Sequence, residues 1–204
     1  MKTHTMKKIG SWSALMGLLV CTACIFDTRD ADPPDDTVSG CTLDSPQKVF
    51  TCMAEALNSE QDGNYERSLA DNFLFSPTVS DSLDQLLLPF CVYENWTKPV
   101  EMDVLQLMLS DNNNIVWDFG TPVAKINKNT FVRFEVNYSL SMVPSASPTD
   151  TLVFRGIAEI DVRNVTGNWK VTFWNEVQNV GGATSWGFLR GDLRKQQGAT
   201  CSAP

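Results

Sequence analysis

Histidine is all but missing from this chain of 204 residues: the only one is His4. It falls in an N-terminal stretch read below as a cleaved export signal, so the exported chain has none. That excludes Ser-His-Asp and Cys-His machinery and removes the commonest zinc ligand. Basic residues are scarce too, 16 Lys and Arg against 24 Asp and Glu. An acidic balance with no basic stripe along the sequence argues against nucleic acid as a partner. No apolar run is long enough to span a bilayer as a mature helix. Among Cys41, Cys52, Cys91 and Cys201 there is no close CxxC-type pair, so neither a metal site nor a cofactor is expected.

What is present begins with an address. Lys2, Lys7 and Lys8 give a positive start with no acidic residue before Asp27. Ala14, Leu15, Met16, Leu18, Leu19 and Val20 then supply a short apolar core, and Cys21-Thr22-Ala23-Cys24 closes it with small residues ahead of the final cysteine. This pattern resembles the lipobox of bacterial lipoproteins, with Cys21 standing where leucine is usual. The resemblance implies cleavage after residue 23, a lipid on Cys24 and a membrane anchor in the cell envelope. Ile25, in place of an aspartate, implies the outer membrane, facing the periplasm or the cell surface. Loss of residues 1–23 takes three lysines, leaving 13 basic residues against 24 acidic ones, a formal net of −11.

Residues 24–40 carry Asp27, Asp30, Asp32, Asp35 and Asp36 around Pro33-Pro34. Such a segment cannot bury enough apolar surface to order itself and reads as a solvated tether. Residues 41–204 are enough for one domain. Its four cysteines, in an exported chain, read as two disulfides. Of three possible pairings, between which the sequence does not choose, the one favoured here clamps the ends through Cys41 and Cys201 and leaves Cys52 with Cys91.

The domain reads as α+β. Ser45-Pro46 opens a helix whose apolar face is Val49, Phe50, Met53 and Leu57, ending near Glu60. A short helix over residues 65–70 precedes a strand over 72–75, stopped by Pro77. Leu83, Leu86, Leu87 and Leu88 suggest one helical piece; Val104, Leu105, Met108 and Leu109, after Pro99, suggest another. A turn is expected at 111–114. The rest alternates as strands: 115–119 running on towards Ile126, then Val132, Phe134, Val136, Tyr138, Leu140 and Met142 facing inward, then Leu152, Phe154, Gly156, Ala158, Ile160 and Val162 on one face of the next. In the last long strand Trp169, Val171 and Phe173 share one face, with Lys170, Thr172 and Trp174 opposite. Short turns such as 164–167 make this sheet antiparallel. Residues 186–194, both basic and aromatic, read as a final strand packed on the sheet or as a partner contact.

The helix pair ending in Tyr65-Glu66-Arg67-Ser68-Leu69-Ala70-Asp71, the aromatic strand 72–75 and the late strand rich in aromatics resemble the NTF2-like superfamily, whose members include ketosteroid isomerase-like enzymes. The resemblance covers residues 45–178. It implies a cone in which N-terminal helices pack on a curved antiparallel sheet, here with a helical insertion over 80–110. Enzymes of that family place acids or tyrosines inside the cone. The candidates of that kind are Glu176, Glu159 and Tyr138, with Asp161 and Arg155 nearby. Alternation predicts that Glu159 and Asp161 face water, with Arg155 or Lys170 as partners. Phe75, Trp117, Phe134, Phe154 and Phe173, with Phe73, Phe119 and Trp186, would line a pocket or form the core. The function expected is a non-enzymatic module for a small hydrophobic ligand or an envelope protein. The alternatives are a histidine-free isomerase or dehydratase and a structural component of an envelope complex.

Overall fold

A computed structural model describes residues 41–201. Cys24 and the stretches read from the sequence as an export signal and a tether lie outside the described residues. Helix α1 (Lys48–Asn58) buries Val49, Phe50, Met53 and Leu57 as the spacing predicts, but it begins after Ser45-Pro46, which form a preceding turn. Helix α2 (Asp62–Ser68) runs directly into strand β1 (Leu69–Ser76), longer than expected because Leu69 and Ala70 already extend.

The insertion departs most from the sequence reading. The leucine run is not a helix. One turn, α3 (Val79–Ser82), is followed by irregular chain and a 3₁₀ turn at Leu88–Phe90, and only Leu87 is buried. Pro89 blocks helix extension there. Helix α4 (Lys98–Asp111) follows and passes without a turn into β2 (Asn112–Phe119). Asn112 explains the missing turn: its buried side-chain amide donates to the Met108 carbonyl at 2.9 Å, satisfying the helix end.

Strands β3 (Val123–Lys128), β4 (Phe131–Pro144), β5 (Leu152–Val165) and β6 (Asn168–Asn179) complete a sheet of order β1-β6-β5-β4-β2, with β3 also on β4. Val132, Phe134, Val136, Tyr138, Leu140 and Met142 all face the core. The sheet is mixed, not antiparallel throughout, because β1 joins β6 in parallel. In β6 the expected facing fails halfway. Asp161 pairs with Phe173 while Val162 pairs with Val171, so Thr172 is an extra residue. A bulge of this kind inverts the alternation beyond it. Trp169 and Val171 point inward before it; Trp174 and Glu176 point inward after it, and Phe173 turns to the half-exposed outer face.

Residues 186–194 form no strand. They belong to helix α5 (Trp186–Gln196), capped by Ser185, whose hydroxyl accepts from the Phe188 amide at 2.8 Å. The cysteines pair as Cys41 with Cys52 and Cys91 with Cys201, against the end-to-end clamp favoured by the sequence. The chain enters beside its own first helix, bringing Cys41 and Cys52 to a Cα separation of 5.5 Å. Helix α5 packs on the insertion, where Arg194 donates to the Val92 and Glu94 carbonyls at 2.5 and 2.7 Å, and this carries Cys201 to Cys91.

Candidate functional site

The interior of the cone is where sheet, α4 and α5 bring ionisable groups together. Helix α4 presents Glu101, Val104, Leu105 and Met108 at helical spacing, so Glu101 occupies a core position. Helix α5 does the same with Trp186, Leu189, Arg190 and Leu193. Strand β4 contributes Tyr138, and the bulge in β6 turns Trp174 and Glu176 inward to meet it. Arg190 is 0 % exposed.

Two carboxylates flank that guanidinium. Glu101 accepts from Arg190 Nη2 at 2.6 Å and from the Tyr65 hydroxyl at 2.7 Å on one oxygen, and from Trp96 Nε1 at 2.9 Å on the other. Glu176 accepts from the Tyr138 hydroxyl at 2.6 Å on Oε2 and from Trp174 Nε1 at 2.8 Å on Oε1. Arg190 Nη1 lies 3.6 Å from the same Oε1, an ion pair without a hydrogen bond. Arg190 Nε and Nη1 find no acceptor; the guanidinium instead lies against the rings of Phe75, Trp174 and Trp186, 4.2, 4.6 and 4.8 Å from their centroids. The Tyr138 hydroxyl in turn accepts from the Trp186 amide at 3.0 Å. Gly156, opposite Tyr138 on β5, leaves room for that phenol, which a Cβ there would strike.

Burial sets the electrostatics. It pushes the Glu176 carboxyl up to about 7, against the opposing pull of Arg190 and the hydrogen bonds from Tyr138 and Trp174. Burial likewise raises Tyr138, reinforced by the charge of Glu176, and raises Tyr65, reinforced by Glu101. For Arg190 burial works against the charge, but Glu101 and the other partners outweigh it and the guanidinium is held above its ordinary value. Both phenols are therefore fixed donors, and Glu176 is a carboxyl able to hold a proton near neutrality.

Of the residues singled out from the sequence, Glu176 and Tyr138 meet directly. Glu159 does not join them: it sits half-exposed on the outer face, in register with Glu135 and Asn175. Asp161 also faces outward but is covered by Arg133, which donates to it through two nitrogens at 2.5 and 2.9 Å, rather than by Arg155 or Lys170. Phe75, Trp117, Phe134 and Phe154 are core, as are Phe73 and Trp186; Phe173 is not, and Phe119 packs at the margin. The sequence reading missed Arg190, Glu101 and Trp174. Helical spacing marks the first two as interior, while only the bulge places Trp174.

One surface cleft reaches the Tyr138 edge of this cluster, beside Gly156. Clefts on the described surface include one of about 430 Å³ between α2 and α4, one of about 540 Å³ beside Gln197, and one of about 210 Å³ over Asn137 and Arg155. Glu176 and Arg190 line none of these. Among the described residues, no group of three or more His, Cys, Asp or Glu side chains is placed to hold a metal ion.

No protein-family model and no curated protein matches the sequence. Solved structures match in shape. A candidate aromatic ring hydroxylase from Novosphingobium aromaticivorans superposes with a TM-score of 0.52 at 9 % identity, over 65 % of this chain and 85 % of that one. A candidate scytalone dehydratase from the same organism gives 0.52 at 9 %, over 69 % and 89 %. A protein of unknown function from Mycobacterium tuberculosis gives 0.51 at 6 %, over 75 % and 85 %. At such identities the likeness concerns fold alone: α+β, helices packed on a mixed curved sheet, the NTF2-like cone.

Proposed function

We propose that this chain is a non-catalytic, lipid-anchored envelope protein whose cone is a solid scaffold for contact with another envelope protein. The observation that carries this reading is the filled interior. Trp117, Trp174, Trp186 and Arg190 occupy the space a ligand would take, and both oxygens of Glu176 are already engaged. A small hydrophobic molecule would have to displace a guanidinium paired with two carboxylates, which leaves buried charge uncompensated.

The contact surface we assign is the insertion. Leu83, Leu86 and Leu88 are 62, 61 and 53 % exposed within six positions, and Val79 and Phe90 flank them. Apolar side chains clustered this way on a surface favour a protein partner. This loop lies at one end of β6, where Asp81 meets Asn179, whereas the chain enters at the other, where the Leu43 carbonyl accepts from the Trp169 amide at 2.7 Å. The anchor itself rests on the lipobox-like Cys21-Thr22-Ala23-Cys24.

Native mass spectrometry of the exported chain with Cys24→Ser tests the scaffold: a bare mass with two disulfides is expected, and a retained small molecule would overturn it. Replacing Leu83, Leu86 and Leu88 together by serine is expected to leave thermal stability unchanged and to abolish crosslinks to envelope proteins in cells. The raised carboxyl of Glu176 beside Tyr138 supports a second reading, proton-transfer catalysis; it requires an opening of the cone, and turnover of any identified substrate surviving Glu176→Gln excludes it.

A further inference from the structure

Strand register sets two opposite charges on either side of a serine. Asp118 on β2 is in register with Ser139 on β4, and Ser139 with Arg155 on β5. The neighbouring row, Trp117, Leu140 and Phe154, is buried in the core, so alternation turns this one to the outer face. Two strand spacings hold the Asp118 and Arg155 backbones about 10 Å apart. Among the described residues neither side chain has an ion-pair partner. Further along the same face Arg133 and Asp161 do pair.

These charges line a cleft bounded where two strands end. Just past β2, the Gly120 amide donates to the Asn137 carbonyl at 2.8 Å. Past β6 the chain turns at Gly181 and Gly182, both at positive φ, and runs beside β5. There the Val180 amide donates to the Arg155 carbonyl at 3.4 Å, and the Arg155 amide to the Thr184 carbonyl at 3.0 Å. Between Gly120 and Val180 lies a space of about 210 Å³, lined by Asp118, Asn137, Ser139 and Arg155 together with Tyr138 and Gly156. That is below the range of about 300–1,000 Å³ that takes drug-sized molecules, so the ligand it admits is small. Walls of both signs decide its kind. A lone anion at Arg155 also meets the Asp118 carboxylate, and a lone cation at Asp118 also meets the guanidinium. A molecule carrying both charges meets each with its complement: Arg155 donates to a carboxylate, Asp118 accepts from an ammonium, and the Ser139 hydroxyl between them serves either. We infer that this cleft binds a small zwitterion of the amino-acid type, its carboxylate towards Arg155 and its ammonium towards Asp118. The site lies on the sheet surface, so it goes beyond the scaffold reading and leaves the filled interior in place. Exposed charges hold such a ligand weakly and reversibly, and buffer exchange removes it before the bare chain is weighed.

Amide NMR spectra of the exported full chain carrying Cys24→Ser test this. The probes are glycine, β-alanine and 4-aminobutyrate, which separate the two charges by increasing lengths, with acetate and methylammonium as the two halves. Expected with at least one zwitterion are saturable shifts of the Asn137, Ser139, Gly156 and Val180 amides. Acetate and methylammonium are each expected to bind at least tenfold more weakly. Arg155→Gln and Asp118→Asn, both at exposed positions, are each expected to keep the spectrum of the folded chain and to lower the affinity several-fold. No saturable shift with any of the three zwitterions would overturn the proposal and leave the scaffold reading standing. So would acetate binding as tightly as the best zwitterion, or full affinity in Asp118→Asn, either of which would reduce the cleft to an anion site. Shifts of the Trp174 and Trp186 indole signals in place of the cleft amides would put the ligand inside the cone and overturn both readings.

Discussion

Glu176 is held near pH 7 by its surroundings, whereas a free glutamate has a value of 4.5. Its folded value is raised, so between those two pH values the native state keeps a proton that the unfolded chain has released. The corresponding stability is fully present below about 4.5 and is lost as pH rises to about 7. Urea unfolding of the wild type, compared with Glu176→Gln, is expected to show a stability difference that falls by about 1.4 kcal/mol per pH unit across that window and is flat above it. A difference independent of pH would mean that the carboxyl is ionised throughout. Legibility from sequence is uneven at this scale. Glu176 and Tyr138 are identifiable as interior candidates from their places in aromatic strands. Arg190 is not, because a cation in a basic segment reads as exposed until helical spacing is imposed on residues 186–193.

Among the elements, α5 and the insertion depend on each other. Trp186 and Arg190 complete the interior, Tyr93 donates to the Gly187 carbonyl at 2.9 Å, and Cys91 and Cys201 lock the two together. The two disulfides close very different loops, with sequence separations of 11 and 110. Chain entropy then assigns about 3 kcal/mol to the pair at Cys41 and Cys52 and between 4 and 5, roughly, to that at Cys91 and Cys201. The double replacement Cys91→Ser with Cys201→Ser is therefore expected to lower the urea midpoint more than Cys41→Ser with Cys52→Ser. The reverse order would show that α5 stays docked without its link. The long strand β4 is readable residue by residue, and β5 from Phe154 to Val162, since unbroken alternation has one solution; Leu152, expected on the inward face, is exposed where β5 begins. Strand β6 is readable only up to Thr172, where one extra residue exchanges its faces.

For the whole molecule the filled cone makes an optical prediction. Trp96, Trp117, Trp174 and Trp186 are almost wholly buried and packed against one another or against Arg190 and Arg194. Their emission is expected to resist acrylamide until the domain unfolds, and to be unmoved by small hydrophobic compounds. Quenching under native conditions, or a ligand-induced shift, would mean that the cone opens. The described surface carries an apolar loop beside one end of β6, on a chain of formal net charge −8.

What the amino-acid sequence determined by itself rests on properties additive along the chain. Charge balance, the absence of histidine beyond His4, the apolar N-terminal run and the period-two strands need no partner to be recognised; the strands after a helical first half lead to the α+β class, and the cone is what the resemblance over residues 65–75 and the late aromatic strand implies. Tertiary structure alone decided whatever required two distant segments to meet. The parallel junction of β1 with β6, the pairing of the cysteines and the enclosure of Arg190 by Glu101 and Glu176 are contacts across the chain. The alignment of Lys128, Phe131, Arg163 and Lys170 across strands β3, β4, β5 and β6 is another, created by strand register. Local sequence carries propensity and period, but burial and register are set by which surfaces close upon each other, and that choice is made by the folded chain as a whole.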